Sequence, residues 1–501
     1  MANSSAAMTA PPLSAAAIAL NRFGLGARAD EAPPADPKHW LLAQFDAYQP
    51  MPSAWAAQPG SLAIAAQLAG ERQQAMANAS NATNATASAT NAASQPNAAA
   101  NAEDARKAAR QAANKAVRME SRDTYRAAVN ARVASALTTP APFVERLVHF
   151  WANHFAVSVD KSDVAPYAGA FEAEAIRPHV LGRFEDMLVA VERHPAMQLF
   201  LDQTRSVGPD SVAAMRAAQR NPNRKPGLNE NLAREIMELH TLGVRSGYTQ
   251  DDVTEFARAM TGWSIAAAQG PQPGNAPPGA FVFRAPLHEP GTRTIMGRRY
   301  DQPGEAQTLA VLHDLSSAPA TATHIATKLA RHFVADNPPP DVVDQLATAF
   351  MRSRGDLPTV YRALIASDAA WSPVAVKFKS PWEWTISSMR GLGMHDPNDG
   401  ARAVQMAPVL TQLGQQVWRP GSPAGYDDIA ASWAAPDALV RRVEIAQRFA
   451  ARVGDRLDAR ALGPTLMAGS LSEPTQVAVS RAESASTALA LLLVSPDFQR
   501  R

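Results

Sequence analysis

Apolar residues in this chain recur every three to four positions, and that spacing constrains the fold more than any other feature. Through residues 140–265, and again from 305 to the end, the pattern is that of helices with one apolar side. Ile325, Leu329 and Phe333 stand one turn apart, and Ala488 to Val494 makes a short apolar helix near the end. Strands do not alternate with these helices. The sequence therefore predicts a mainly α architecture, a multi-helix bundle-like array, and argues against a parallel α/β enzyme. A small β-hairpin insertion is expected near 280–300, where Phe281-Val282-Phe283-Arg284 and Thr292 to Arg298 flank Glu289-Pro290-Gly291.

Residues 1–55 read as N-terminal helices packing on the core, one over Leu13–Phe23 and one from Asp36 to Phe45 with Pro37 in its first turn. Residues 56–118 then turn rich in Ala, Asn, Gln, Ser and Thr, and Ala77 to Ala100 holds no large apolar side chain. A segment that buries so little cannot offset its ordering entropy, so a partly disordered insertion is expected there, followed by a long helix from about Ala102 to Ala136. Residues 119–265 form a central helical region, in which Thr249 and Asp252 make a capping box. Residues 266–304 are loop and hairpin. Residues 305–501 form a C-terminal helical region, interrupted by a Gly/Pro loop with aromatics at 414–433.

Composition excludes several functions. Hydrophobic residues make up 46% of the 501, enough for a sizeable core, and the formal charge is +2 with both signs mixed. Without a basic block, nucleic acid is not an expected partner. Cysteine is absent, which removes thiol nucleophiles, disulfides and Cys-type metal sites; a divalent metal would have to be held by His, Asp or Glu. There is no nucleophile elbow, P-loop or dinucleotide fingerprint, hence no nucleotide or flavin motif. No apolar run approaches the ~20 residues of a membrane span. No Lys or Arg precedes Arg22, so the charged start of an export signal is lacking and a cytoplasmic location is the default expectation.

Chemistry concentrates in Gly227 to Gly243 (GLNENLAREIMELHTLG). On a helix, Leu228, Leu232, Ile236 and Leu239 form an apolar stripe, and Asn231, Glu235 and Glu238 cluster on its flank with Arg234 at their margin. Two carboxylates one turn apart beside a buried face need a positive partner, which Arg234, a protonated histidine, a metal ion or a substrate would supply. Gly243 ends the helix as a left-handed cap. A network of ion pairs between helices accounts for the same residues, and both readings stay open at this level.

A second helix, Glu145 to Phe155, turns His154 toward the core with Phe143, Leu147, Phe150 and Trp151. His149 and His154 are five apart, about 140° around the helix, so they do not reproduce the i,i+4 geometry of a one-helix zinc site. His154 facing Glu235 or Glu238 from another helix would still make a site, and those three are the ligands expected if a metal binds. His149 reads as a core histidine. His324, Lys328 and His332 lie beside the Ile325/Leu329/Phe333 stripe and read as a solvated face. His288 with Glu289 would reach into a site from the hairpin, and the 414–433 loop offers Trp418 and Tyr426 as binding surface or as a rigid cap.

These blocks together resemble the bacterial family called domain of unknown function 1800. The likeness runs from Ala19-Leu20-Asn21-Arg22-Phe23-Gly24-Leu25-Gly26 through Phe150 to Phe155, His194-Pro195-Ala196-Met197 with Leu201-Asp202, and Asn229 to Gly243. It continues through Ala259-Met260-Thr261-Gly262-Trp263, His288-Glu289-Pro290-Gly291, Lys379-Ser380-Pro381 and Ser495-Pro496-Asp497-Phe498. Glu289 stands where the family usually has Asp, and the Ala/Asn-rich insertion is unusual. The resemblance implies a partner from a second family, domain of unknown function 1501, which resembles the phosphatase and sulfatase group and often carries an export signal; export alongside it would follow. It also implies a functional role for the polar cluster. The expected function is an enzyme, hydrolytic or metal-dependent, acting on a glycan, peptide or other polymer. In it Glu235 or Glu238 is the general base or acid, His154 the partner and Arg234 the anchor for an anion, with Asp202 in the same pocket and Asn153, Asn231, His288, Trp418 and Tyr426 binding substrate. The alternative is a non-catalytic escort for the exported partner.

Overall fold

The computed structural model describes residues 11–90, 98–221, 227–266, 275–398 and 404–501. The fold is mainly α. In chain order the helices that matter here are α1 (Pro37–Ala47), α2 (Ser61–Thr90), α3 (Ala98–Thr138), α4 (Pro142–His154), α5 (Phe184–Arg193), α6 (Asn231–Glu235), α7 (Gln250–Met260), α8 (Pro319–Phe333), α9 (Leu357–Ala366) and α10 (Pro381–Gly391). The capping box at Thr249 and Asp252 forms as its spacing predicts.

The core gathers around α4, which is buried along nearly its whole length because apolar and aromatic side chains occupy most of its surface. Phe143 meets Phe23 and Phe333, with ring centroids 5.6 Å apart in both cases. Trp151 donates its indole N–H to the Tyr361 hydroxyl of α9 at 2.6 Å, so this large side chain is buried with its polar atom satisfied.

The Ala/Asn-rich stretch carries two long helices among the described residues. On either side of residues 91–97, α2 and α3 pack along each other as a helical hairpin; those residues, where the expectation of disorder falls in part, lie outside the described residues. Alanine, the best helix former, costs little entropy to order, and a helix satisfies its own backbone. At the base of the hairpin Ile64 and Leu68 of α2, and Val129 and Val133 of α3, are buried, so the apolar anchor lies at one end.

The β structure is present but paired differently. Trp263–Ile265 pairs with Phe281–Phe283, and Arg293–Ile295 with Arg298–Tyr300, giving two separate antiparallel pairs. The second closes through Met296 and Gly297, both at positive φ (50° and 75°), the conformation of a two-residue hairpin turn. Glu289-Pro290-Gly291 links the two pairs and is not the turn of one.

Three π-helical segments occur among the described residues: Ile18–Phe23, Glu172–Ile176 and Ile236–His240, the last continuing α6. Such widened turns shift side chains and carbonyls off the regular α ladder and gather at functional sites. Here each of the three neighbours α4.

Candidate functional site

A cavity of about 650 Å³ opens between α4, α8, the first turn of α10 and the 414–433 loop. Its walls carry Arg146, His149, Asn153 and His154 from α4, and His324, Lys328, Arg331 and His332 from α8. Trp382 and Glu383 of α10, and Trp418, Tyr426 and Asp428 of the loop, close it. The expectation of a solvated face for His324, Lys328 and His332 is thus corrected. Spaced four apart they do share one edge of α8, but that edge faces the cavity beneath the loop.

One side of the cavity is an ion-pair network. Glu383 accepts from Arg146 and lies 2.9 Å from a guanidinium nitrogen of Arg501, both cations being almost wholly buried. Burial works to raise the Glu383 carboxyl, but Arg146 and Arg501 outweigh it and hold it at about 2. Arg146 Nε also donates to His332 Nε2 at 3.1 Å. A guanidinium can only donate, so His332 carries its proton on Nδ1 and gives that hydrogen bond to Asp428. Lys377 approaches Asp428 Oδ1 at 3.2 Å. The Asp428 carboxyl is held far below the usual carboxylate range by His332, Lys377 and Arg501, against the opposing effect of burial. Glu383 caps α10 in a box with Ser380, so one carboxylate serves both the helix start and the cavity wall.

The opposite side is built by the end of α6. Its π-turn leaves the carbonyls of Leu239 and His240 outside the helical ladder, as at any helix C-terminus. His324 Nε2 donates to the first and His154 Nε2 to the second, each at 3.1 Å. The ring centroids of these histidines are 6.0 Å apart. Because Nε2 carries the hydrogen in both, Nδ1 is bare in the neutral rings, and that of His154 is buried with no partner. Burial, reinforced by the charge of Lys328, lowers both: His324 to about 4 and His154 well below its ordinary value. Lys328 itself is lowered by burial to about 8, against the opposing charge of Asp428 and with a smaller contribution from the cationic Arg331. His149 is a core histidine, its Nδ1 accepting from Trp382 Nε1 at 3.1 Å.

The sequence-derived site residues divide into two groups. His154, Asn153, Trp418 and Tyr426 line the cavity; Glu235, Glu238, Arg234, Asp202, Asn231 and His288 do not. Arg234 spans Glu230 at 3.1 Å and Glu238 at 3.6 Å along its own helix. Asp202 pairs with Lys161 at 2.7 Å. Asn231 is exposed at the start of α6. His288 Nδ1 bonds the Thr261 carbonyl at 2.9 Å, while Glu289 accepts from the Asp210 amide at 2.8 Å, so this pair ties loops together. Glu235 is half-buried, and burial raises its carboxyl. Convergence of His154, Asp202, Arg234 and Glu235 on one pocket therefore does not occur: of the four only His154 lines the cavity, while Asp202 is held by Lys161 and Arg234 by Glu230 and Glu238. Among the described residues no group of three or more His, Asp or Glu is arranged to hold a metal ion, the expected set His154, Glu235 and Glu238 included. Sequence reasoning missed Arg146, Glu383, Asp428 and Arg501. The available signal was the Ser380-to-Glu383 capping box, which points to a helix start but not to what the carboxylate meets.

The loop is a wall, fastened at several points. Asn153 Oδ1 accepts from the Tyr426 amide at 2.7 Å and its Nδ2 donates to the Tyr426 carbonyl at 2.9 Å. Trp418 donates to Glu172 at 3.1 Å, and the Tyr426 hydroxyl donates to backbone carbonyls of its own loop. Gly425 sits at φ +84°, and an added Cβ there would lie 2.2 Å from the Asn153 carbonyl oxygen. Gly425→Ala is accordingly expected to cost on the order of 1–3 kcal/mol and to loosen the loop. Urea unfolding and limited proteolysis check this; an Ala variant as stable and as resistant within 414–433 as the native chain would contradict it.

Fold and site define a class: a mainly helical protein built around a histidine- and cation-lined cavity under an ion-paired loop. The chain belongs to the family described as a protein of unknown function, DUF1800, whose sequence model matches residues 18–500. No curated protein and no solved structure matches it. Among the described residues no helix is long and apolar enough to cross a membrane.

Proposed function

We propose that the chain is an enzyme that binds an anionic group in this cavity and moves protons through Lys328. One observation carries the reading. The Lys328 amine stands on the cavity wall with no hydrogen-bond or ion-pair partner among the described residues, while Glu383 and Asp428 are already engaged by Arg146, Arg501, His332 and Lys377. Arg331 bonds only a backbone carbonyl, that of Asp336, at 3.2 Å. The wall thus keeps positive charge that an anion would neutralise in a partly desolvated setting. An amine near 8 gives and takes a proton readily around neutral pH, and the bare Nδ1 atoms of His154 and His324 are acceptors beside it.

Hydrolysis of a glycan, peptide or polymer rested on Glu235 or Glu238 as acid and base. Neither lines the cavity, and in this reading Lys328 takes that role. The escort alternative, with a partner from the domain of unknown function 1501 family, called for an apolar patch at Trp418 and Tyr426. Trp418 is only 6% exposed and Tyr426 is bonded into the loop, which favours the enzyme reading.

Thermal unfolding with phosphate, citrate and glyoxylate, against neutral glycerol, tests the proposal. A bound anion at a hundredfold excess over its Kd adds roughly 2.7 kcal/mol to native stability. That gain is expected for at least one of these anions and is expected to vanish in Lys328→Met. If no anion stabilises the protein, or if Lys328→Met is stabilised equally, the reading falls.

A further inference from the structure

We infer that Lys328 is a nucleophile as well as a proton carrier, its amine condensing with the carbonyl of an anionic 2-oxo acid to form an imine. The inference rests on the reading of the cavity as an anion site and adds the identity of the reacting group. Its basis is the contrast between Lys328 and the other lysines held in the structure. Lys161 is paired with Asp202 at 2.7 Å, and Lys377 with Asp336 at 2.7 Å. Lys379 is buried against Phe498, 4.1 Å from the ring centroid, and does not line the cavity. Lys328 alone of these four joins an open cavity to an amine with no hydrogen bond or close ion pair among the described residues, Asp428 reaching it only through its charge.

The surroundings fit the chemistry. Arg331, three residues further along α8, presents a planar fork of donors suited to a carboxylate beside the reacting carbonyl. His154 and His324 have their Nε2 hydrogens fixed on backbone carbonyls, so both Nδ1 atoms carry lone pairs able to accept a hydrogen bond. Phe150 and Leu239 give the wall an apolar part, where a free amine is favoured over an ammonium.

In the reaction the amine nitrogen bonds to the carbonyl carbon, and the C=O π pair moves onto oxygen, which takes one of the two protons on the nitrogen to give the carbinolamine. The second nitrogen proton then passes to the carbinolamine hydroxyl, which leaves as water while the C=N bond forms. Amine plus carbonyl gives imine plus one water, with no other reactant.

The test treats the full chain with glyoxylate and cyanoborohydride, which reduces an imine to a carboxymethyl-lysine, and maps the product by peptide mass spectrometry. Lys328 is expected to be labelled at least tenfold faster than Lys38 or Lys161, with saturation, and excess phosphate is expected to slow it. Lys328→Arg keeps the charge but cannot form the imine; it should lose this label while still gaining stability with phosphate. Labelling of Lys328 no faster than Lys38, in a protein that phosphate stabilises, would overturn the imine and leave the anion site standing. Absence of stabilisation by any anion would overturn the anion site itself, and this inference with it.

Discussion

Glu383→Gln is expected to lower the unfolding free energy by roughly 3–5 kcal/mol, the usual cost of removing one partner from a buried ion pair. The size follows from what remains. Arg146 and Arg501 are almost wholly buried, and glutamine cannot neutralise either of them. Urea unfolding of the two proteins measures the difference, and a loss below about 1 kcal/mol would show that the pair is screened by solvent. Arg146→Met in the same background should recover part of the loss, because it removes one of the stranded charges. The carboxylate also contributes to acid sensitivity. Its folded value near 2 lies below the unfolded 4.5, so its contribution is complete above pH 4.5 and disappears as pH falls toward 2.

A second large effect belongs to the histidines and begins at higher pH. His149 and His154 are buried and neutral, with folded values well below 6.5, and His324 is lowered to about 4. Between 6.5 and the folded value the unfolded chain binds a proton that the native ring refuses, so stability is full above 6.5 and falls as pH drops. Each such ring contributes a slope of about 1.4 kcal/mol per pH unit, and His149 and His154 together about 3. Unfolding free energies at pH 7.5, 6.5, 5.5 and 4.5 therefore should decline well before carboxylates protonate. His154→Gln should flatten the slope by one histidine's share. A flat profile between pH 6.5 and 5 would mean that these rings reach solvent.

Much of the helical fold is legible in the chain because amphipathic periodicity is local. The helix over Pro142–His154, the capping box at Thr249 and the stripe of Ile325, Leu329 and Phe333 each follow from residues a few positions apart. In the Ala/Asn-rich stretch the pairing of α2 with α3 rests on helix propensity and on contacts between the two helices, whereas composition measures only how much a segment can bury. The strands misled in partner choice: Phe281–Phe283 pairs with Trp263–Ile265, with Ser264 against Val282 at the middle of the register, and no short-range turn signal announces that.

The motif from Gly227 to Gly243 shows where local reading ends. Its helix over Asn231–His240, with Leu232 and Ile236 buried along it, is determined by the sequence itself, since it depends on spacing along one helix; the helix ends at Thr241, ahead of the Gly243 cap that the spacing predicts, and Leu228 lies before it. What the motif contributes to the cavity was decided only by tertiary structure. The polar side chains that draw attention, Arg234 and Glu238, pair along their own helix, while the backbone carbonyls of Leu239 and His240 orient the imidazoles of His324 and His154. Carbonyl groups carry no residue identity, so no pattern of letters reports them. The partners of Lys328, Glu383 and Asp428 are likewise set by where α4, α8, α10 and the 414–433 loop meet, because electrostatic and hydrogen-bond chemistry depends on distance in space and not on separation along the chain.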